Sequence, residues 1–432
     1  MRFPLKPLLF LLCLGGTALA AGQELVAVAE GFSETSINAA VFRHSSLATH
    51  RDTQYIAYYD GDCYLTLGKR RQGSTAWELR RSQYVGKCAD AHNVISLAVD
   101  GSGCLHAAFN HHSSPLSYCK GVAPGALELG EKIPMTGAGE GKVTYPEFYR
   151  MANGDLIFVY RDGSSGRGNM VMNLYRTAAG QWERVQTLLI DGEGERNAYW
   201  QLYVDRLGII HLSWVWRETA DVATNHDLCY ARSADGGRTW EKSSGEKYAG
   251  SITLANAEYV CRIPQNSELI NQTSMTADNS GNPYIAAYWR SEGSSVPQYR
   301  VVWLDGGKWR QQQVSSRATP FSLSGVGTKK IPIARPRLVV DARGETLKAY
   351  YIFRDEERGS RVSAACSDNL KSGAWEYRDL TDFSVESWEP THDAELWKNE
   401  HRLQLFVQKV GQGDGEKSAQ VPPQMIYVLE VK

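Results

Sequence analysis

The sequence lacks several features that would place it in common functional classes. It has no excess of basic residues, since 47 Lys and Arg face 48 Asp and Glu, for a formal net charge of −1. Nucleic-acid binders usually carry a basic patch, so we expect no nucleic-acid partner. Beyond the N-terminus no apolar run reaches the ~18 residues of a membrane-spanning helix, so we expect no membrane association. A hydrophobic fraction of 42% argues against disorder.

The sequence also lacks long segments in which apolar residues repeat with a helical period. Instead it has short runs rich in β-branched and aromatic residues, many of them directly after turn sequences such as DGSG or DARGE. The runs cover residues 55–59, 105–109, 156–160, 209–216, 284–289, 347–353 and 403–407. A second β-like run follows most of them. This pattern argues against a parallel βαβ fold.

Neighbouring runs start about 50–75 residues apart, a spacing typical of β-propeller blades of four strands. A single blade cannot bury both faces of its sheet, so the blades must pack around an axis. We therefore predict an all-β fold in which residues 21–432 form one seven-bladed β-propeller domain. A six-bladed ring is the alternative, because the run at 403–407 could complete the first blade.

One segment has the sequence of a known propeller turn. Residues 233–240, SADGGRTW, match the Asp-box pattern S-x-D-x-G-x-T-W. In such a hairpin Ser233 and Asp235 bond the turn amides, glycine adopts an unusual φ, and Trp240 packs between strands. We expect this segment to lie on an outer hairpin, with a structural role.

Residues 1–20 have the pattern of a signal peptide. Arg2 and Lys6 supply a basic start, residues 8–14 form a short apolar run, and residues 18–20 resemble a cleavage site. We expect this segment to be removed and the mature protein to be periplasmic or secreted. Seven cysteines would then remain, an odd number that leaves at least one unpaired or metal-bound in an oxidising compartment.

Two histidines and two cysteines form a candidate metal site. His226 and Cys229 make an H-x-x-C pair, and Cys261 and His392 lie in later repeats. Two Cys and two His can bind zinc in a closed tetrahedral site, whose role would be structural. The alternative is that these residues are buried thiols and hydrogen-bonded histidines. We expect no cofactor to be required for the chemistry.

Polar residues suited to carbohydrate chemistry recur at similar places in successive repeats. The candidate catalytic residues are His92, His112, Tyr145 and Arg161, and the candidate substrate-binding residues are Asn110, Arg196, Tyr199 and Tyr203. The phasing of His, Tyr and Arg predicts that they converge in an axial cleft. No Asp or Glu shares this phasing, which argues against a hydrolase with paired carboxylates.

Five stretches carry a resemblance to a known family. They are HNVISLAVDGSGCLHAAFNHHSSPLSY, VTYPEFYRMANGDLIFVYRDGSSGRGN, LLIDGEGERNAYW, NHDLCYARSADGGRTW and THDAELWKNEHRLQLFVQKVGQGDGEK. They resemble BNR-type repeat proteins and, among these, the ulvan lyases of polysaccharide lyase families 24 and 25. The resemblance implies a seven-bladed propeller that cuts a sulfated algal polysaccharide between rhamnose-3-sulfate and uronic acid. The resemblance implies that the catalytic Tyr, His pair and Arg of these lyases correspond to Tyr145, His92, His112 and Arg161. It also implies that Tyr203 lines the wall of the site.

The implied reaction is β-elimination at a uronate. The C5 proton is weakly acidic, so Arg161 and a histidine would have to stabilise the charge that develops on the neighbouring carboxylate. We expect Arg161 to lower the pKa of Tyr145, which could then take the C5 proton and return it to O4, with His92 assisting. The product would carry a 4,5-unsaturated uronate.

Two other functions compete with this prediction. A sialidase-like glycosidase would need three arginines around one carboxylate and a Tyr–Glu pair, and Arg161, Arg290, Arg337 and Arg354 are the candidate arginines. A non-catalytic propeller would bind the glycan without cleaving it. For the lyase, the expected partner is an anionic, sulfated polysaccharide substrate, and we expect the chain to act as a monomer.

Overall fold

The computed structural model describes residues 23–271 and 274–431, so the predicted signal peptide lies outside the described residues. The strands form seven antiparallel sheets of four strands each, arranged in a ring. The prediction of a seven-bladed β-propeller is therefore confirmed, and the six-bladed alternative is wrong. Among the described residues no helix is long and apolar enough to cross a membrane.

The first four blades follow one another along the chain. Blade 1 contains β2 (Leu47–His50), β3 (Thr53–Tyr59), β4 (Tyr64–Arg71) and β5 (Glu78–Val85). Blade 2 contains β6 (Ser96–Val99), β7 (Leu105–Ala108), β8 (Tyr118–Gly121) and β9 (Leu129–Lys132). Blade 3 contains β10 (Val143–Arg150), β11 (Leu156–Ser164), β12 (Arg167–Arg176) and β13 (Gln181–Gln186). Blade 4 contains β14 (Asn197–Val204), β15 (Ile210–Arg217), β16 (Asn225–Ser233) and β17 (Glu258–Cys261).

The last three blades complete the ring. Blade 5 contains β18 (Ser274–Ala277), β19 (Pro283–Trp289), β20 (Gln298–Asp305) and β21 (Lys308–Gln313). Blade 6 contains β22 (Arg337–Arg343), β23 (Thr346–Phe353), β24 (Ser363–Ser367) and β25 (Glu376–Asp379). Blade 7 combines β26 (Thr391–His392), β27 (Leu403–Gln408) and β28 (Gln424–Val431) with the N-terminal β1 (Gln23–Gly31).

Helical structure is confined to short segments. The described residues contain one α-helix, α1 (Ala394–Glu400), inserted between β26 and β27. The 3-10 turns are Ser36–Asn38, Val41–Arg43, Val222–Thr224, Glu356–Arg358 and Leu370–Ser372. Asp393 caps α1 by accepting a hydrogen bond from the Leu396 amide at 3.0 Å.

The first strand of each blade lies next to the central axis, because first strands of neighbouring blades pack against one another. The runs identified in the sequence are the second strands, such as β11 and β15, and the innermost strand precedes each of them. Tyr145 and Tyr199 therefore lie on the innermost strands β10 and β14. This placement brings both side chains to the axis.

In several blades an aspartate side chain closes the turn between the first and second strands by accepting hydrogen bonds from backbone amides. Asp100 accepts hydrogen bonds from the amides of Ser102 and Cys104 at 2.9 and 3.0 Å, which closes the hairpin between β6 and β7. Asp205 and Asp278 bond the equivalent turns of blades 4 and 5 in the same way. The turn signals in the sequence thus mark where each innermost strand ends.

The Asp box forms the predicted outer hairpin after β16. Asp235 accepts hydrogen bonds from the Thr239 amide at 2.9 Å and from the Thr239 hydroxyl at 2.7 Å. The Ser233 hydroxyl accepts from the Gly237 amide at 2.9 Å, and Gly237 has a φ of 89°. Trp240 is buried and donates to the Gly237 carbonyl at 2.9 Å.

Candidate active site

The four predicted catalytic residues line one cavity at the end of the axis where β10 and β14 begin. The cavity leaves about 260 Å³ open to water-sized molecules. The remaining lining residues are Phe42, Ser165, Tyr199, Arg217, Ala220, Val222, Ile270, Asn271, Val326, Gly327, Thr328, Lys329, Arg335 and Glu416. The cavity thus collects side chains from segments spread over nearly the whole chain.

A β-bulge presents Tyr145 to this cavity. The pairing of β10 with β11 shifts between Thr144 and Glu147, so that two residues of β10 lie opposite one residue of β11. Pro146 has no amide hydrogen for the ladder, and proline within sheets is found at such bulges. Tyr145 itself has a φ of 54°, a strained conformation for a residue with a large side chain. The backbone is therefore distorted at the residue predicted to do the chemistry.

Asp90 holds the two histidines side by side. The Nδ1 atoms of His92 and His112 lie 2.9 and 2.6 Å from the two carboxylate oxygens of Asp90. The imidazole rings are stacked, with centroids 4.0 Å apart and an angle of 16° between their planes. Since both Nδ1 atoms face Asp90, the Nε2 atoms are the ones that can meet a ligand.

His92 carries a positive charge at neutral pH. Its Nδ1 atom also lies 3.0 Å from the Glu416 carboxylate. Burial works against the charged ring, but the hydrogen bonds that His92 donates to Asp90 and Glu416 outweigh it and raise the pKa of His92 to about 9. Hydrogen bonds from His112 and His92 hold the pKa of Asp90 well below its usual range, although burial acts to raise it. His92 is therefore suited to binding an anion rather than to taking a proton.

Two arginines flank the phenol of Tyr199. The Arg161 guanidinium lies over the Tyr145 ring at 5.0 Å and contacts the Tyr199 hydroxyl at 3.5 Å. The Arg217 guanidinium lies 5.3 Å from the Tyr199 ring centroid. Ser165 completes the surroundings, with its hydroxyl 3.2 Å from the Tyr199 hydroxyl. This corner of the cavity is built to stabilise negative charge.

The pKa values of the two tyrosines move apart. Burial raises the pKa of Tyr145 well above its usual range, and Tyr199 adds to this shift. Burial also opposes ionisation of Tyr199, but Arg217 and Arg161 outweigh it and lower the pKa to about 8. Arg161 does act to lower the pKa of Tyr145, as expected, but burial and Tyr199 outweigh it, so the net shift is upward. Burial therefore keeps Tyr145 protonated at neutral pH, whereas Tyr199 ionises more readily than a free phenol.

His111 and Asn110 support the site from outside the cavity. His111 is buried, accepts a hydrogen bond from the Ser117 amide at 2.8 Å, and has its pKa lowered to about 3 by burial. Asn110, predicted to bind substrate, bonds Val85 and Lys87 at 2.9 Å each. It therefore anchors the loop that leads to Asp90 and His92.

Of the other predicted binding residues, Tyr199 lines the cavity whereas Tyr203 and Arg196 do not. Tyr203 lies four residues beyond Tyr199 on β14, a rise of ~13 Å along the strand, and lines a separate cavity at the opposite end of the axis. Arg196 is engaged by carboxylates, with Glu218 at 3.1 Å and Glu193 at 2.7 Å. The prediction that these two residues bind substrate in the cavity is corrected.

The predicted zinc ligands do not form one site. Cys229 is buried in the core of blade 4 with Trp214 and Trp216, whereas Cys261 packs against a different core cluster. His226 is held by Glu218 at 2.8 Å and by Asp227 at 3.1 Å. His392 lies on β26, next to the axis. Side chains at neighbouring strand positions point to opposite sheet faces, which separates ligands that look close in sequence.

Four side chains of the site were missed by the sequence reasoning: Asp90, Arg217, Arg335 and Glu416. A signal for Arg217 was present, because it ends β15 as Arg161 lies near the end of β11, and both follow apolar runs. Arg335 is buried and paired with Glu389 at 2.5 Å. Glu416 lies on the loop between β27 and β28, whose position depends on closure of the ring. The sequence around Glu416 therefore gives no sign that it belongs to the site.

The fold and the site define a seven-bladed β-propeller with a cationic, aromatic cavity on its axis. Residues 53–317 match the BNR repeat-containing family, and the protein belongs to this family. The predicted resemblance to BNR-type propellers is thus confirmed. No protein of curated function matches the sequence.

Solved structures share this architecture. The polysaccharide lyase Uly1 is similar at 16% identity, with 90% of this chain and 89% of that chain covered and a TM-score of 0.65. A PL25 ulvan lyase bound to -[GlcA(1-4)Rha3S]- is similar at 13% identity, with 94% and 96% covered and a TM-score of 0.67. At these identities the likeness establishes the common fold.

Proposed function

We propose that the protein is a polysaccharide lyase that cleaves a sulfated, uronate-containing polysaccharide of the ulvan type by β-elimination. The observation that carries this proposal is the convergence of Tyr145, the His92–Asp90–His112 group and the Arg161–Arg217 pair on one cavity. The similar ulvan lyase was solved with a fragment that contains glucuronate and sulfated rhamnose. That substrate has both the carboxylate and the leaving oxygen that this chemistry requires.

The cations of the cavity would bind the uronate carboxylate. Arg161 and Arg217 lower the pKa of Tyr199, which indicates that a negative charge is stabilised beside them. A substrate carboxylate in the same place would receive the same stabilisation, and charged His92 would add a hydrogen bond from Nε2. Neutralising the carboxylate makes the C5 proton more acidic, because charge develops on the carboxylate as that proton leaves.

Proton transfer would then use two other groups. His112 donates its Nδ1 hydrogen to Asp90, which leaves the lone pair on Nε2 available to take the C5 proton. Tyr145 keeps its proton at neutral pH and would give it to O4 as the C4–O4 bond breaks. The roles differ from those expected from the sequence, in which Tyr145 both took and returned the proton. The product is a 4,5-unsaturated uronate.

A sialidase-like reaction fits the cavity less well, although three arginines line it. Arg335 is neutralised by Glu389, which leaves Arg161 and Arg217 to bind a carboxylate. The Tyr–Glu pair of the structure, Tyr149 with Glu147, lies deeper on the axis and outside the cavity lining. Of the arginines considered from the sequence, Arg161 alone is among the lining residues.

Replacing Tyr145 tests the proposed chemistry. We expect Tyr145→Phe to lower kcat by about 10²–10⁴-fold, because the leaving oxygen loses its proton donor. The measurement is the ultraviolet absorbance of the unsaturated product during digestion of ulvan, together with a panel of other uronate-containing polysaccharides.

Tyr203→Phe is the matched control, because Tyr203 also faces the axis but lies at its opposite end. It should keep normal activity. Full activity of Tyr145→Phe would remove Tyr145 from the mechanism. Loss of polymer viscosity without the absorbance change would indicate a glycosidase, and binding without either change would indicate a glycan-binding protein.

A further inference from the structure

A second group of polar side chains surrounds the axis beneath the candidate active site. Gln201 lies two residues beyond Tyr199 on β14, so both side chains point toward the axis. Glu147 holds the matching place on β10, Arg337 begins β22, and His44 immediately precedes blade 1. We call Arg337, Gln201, Glu147, His44 and His392 the axial cluster. All five are buried.

The axial cluster is connected by direct contacts. Arg337 donates a hydrogen bond from Nη1 to Gln201 Oε1 at 3.2 Å. The Tyr149 hydroxyl donates to Glu147 at 2.5 Å, and its ring lies 4.5 Å from the ring of His44. Burial and, after it, the charge of Arg337 lower the pKa of both His44 and His392, so neither ring is charged at neutral pH.

Several buried polar atoms of the axial cluster have no hydrogen-bond partner among the described residues. They are Arg337 Nε and Nη2, Gln201 Nε2, His44 Nδ1, His392 Nε2 and Glu147 Oε1. The arginine and glutamine atoms can only donate. Burial raises the pKa of Glu147 to about 8, so this carboxyl is protonated at neutral pH and does not neutralise Arg337. A buried cation with unmade hydrogen bonds is strongly unfavourable.

We propose that the axial cluster binds a monovalent anion of the size of chloride, held by Arg337 and Gln201. An anion accepts from several donors at once and neutralises the guanidinium. Water fits less well, because a water molecule is uncharged and does not neutralise the buried guanidinium.

A cavity at the opposite end of the axis from the candidate active site reaches His44 and Tyr149. It leaves about 40 Å³ open to water-sized molecules. His44 is the member of the axial cluster that lines it, so this cavity borders the cluster. The proposed ion would stabilise the ring, and the proposal is independent of polysaccharide cleavage.

Bromide is the direct probe, since it replaces chloride and scatters X-rays anomalously. We expect crystals of the full mature chain grown in sodium bromide to show an anomalous peak on the axis at hydrogen-bond distance from Arg337. Density for ordered water at that place, without anomalous signal, would overturn the proposal.

A solution experiment uses two buried arginines as a matched pair. Arg354 is also buried, but its Nη1 and Nη2 atoms donate to the carbonyls of Pro332 and Ile331 at 2.9 and 3.0 Å. When sodium chloride replaces sodium gluconate at constant ionic strength, we expect the Tm of the wild type to rise by about 2 °C and then saturate. Arg354→Met should lower the Tm but keep this rise.

Arg337→Met should show no rise in Tm with chloride. An equal response of all three proteins would contradict an anion site at Arg337. If Arg337→Met does not fold, the bromide experiment on the wild type decides the question alone.

Discussion

At the scale of single residues, the properties of the site depend on which charged groups contact each histidine and tyrosine. Asp90 contacts both His92 and His112, yet only His92 also meets Glu416. Arg161 and Arg217 act to lower the pKa of both tyrosines, but burial keeps that of Tyr145 raised whereas that of Tyr199 falls to about 8. Pairs of titratable groups pushed apart in this way mark acid and base roles in enzymes.

The charge on His92 predicts the alkaline limit of activity. A raised pKa means that the charged ring is present below about pH 9 and is lost as the pH rises through that value. We expect kcat/KM to fall with an apparent pKa of about 9, because the substrate carboxylate then loses one cationic partner. Glu416→Gln should move this alkaline limb of the pH profile to lower pH, because it removes one of the two carboxylates that stabilise the charged imidazole of His92.

The measurement is a pH profile of kcat/KM from the product absorbance. Glu345→Gln, in the exposed turn between β22 and β23, is the control and should leave the limb in place. An unchanged alkaline limb in Glu416→Gln would show that His92 does not set it.

At the scale of secondary-structure elements, two long loops form part of the cavity wall. The segment between β21 and β22 is fixed at one side where the Gly325 amide donates to Asp221 at 2.7 Å. At the other side the Gly415 amide donates to the Thr328 carbonyl at 2.9 Å, and Lys329 pairs with Asp414 at 2.7 Å. Loops of blades 4, 6 and 7 thus hold one another over the site.

The Asp box provides a prediction about a single turn. Asp235→Ala removes the acceptor for the Thr239 amide and hydroxyl. We expect the free energy of unfolding to fall by about 2 kcal/mol, because these bonds and the one from the Ser233 hydroxyl are lost and Trp240 is held less firmly. Urea denaturation followed by tryptophan fluorescence measures this change.

Asp382→Ala is the control, at an exposed position after β25. It should change the free energy of unfolding by less than about 0.5 kcal/mol. Equal stability of the Asp235 and Asp382 variants would mean that the motif has no stabilising role.

At the scale of the whole molecule, the ring depends on joining the two ends of the chain. β1 pairs with β28 from Gln23 opposite Val431 to Gly31 opposite Gln424. The same blade carries β26, which places His392 on the axis, and the loop with Glu416, which reaches His92. Closure therefore stabilises the fold and completes the site at the same time.

Neighbouring residues of β1 test this closure. Val26 is buried at 3% exposure, whereas Ala27 is exposed. Val26→Asp places an unpaired carboxylate in the core of the closing blade, and we expect the free energy of unfolding to fall by about 3 kcal/mol or more. Ala27→Asp should have little effect. The measurement is thermal unfolding by circular dichroism, and equal Tm values for the two variants would contradict the role of β1.

The architecture could be predicted from the amino-acid sequence alone. The period of the β-runs, the turn aspartates and the Asp box are local features, since each depends on backbone conformation within a few residues. The phasing of His92, Tyr145 and Arg161 was likewise enough to predict a common cavity, because strands at equivalent positions of a ring face the same axis. The resemblance placed Tyr203 at the same cavity, but its distance from Tyr199 along β14 puts it at the opposite end of the axis.

The contacts and pKa values of the cavity side chains depend on how the blades pack against one another. Which tyrosine Arg161 contacts, which carboxylates surround His92, and which arginines stay unpaired all depend on side chains far apart in sequence. Glu416 is the clearest case, because it lies more than 300 residues from His92 yet raises its pKa. Electrostatic interactions depend on distance and burial, and these are set by packing between blades rather than by any local pattern.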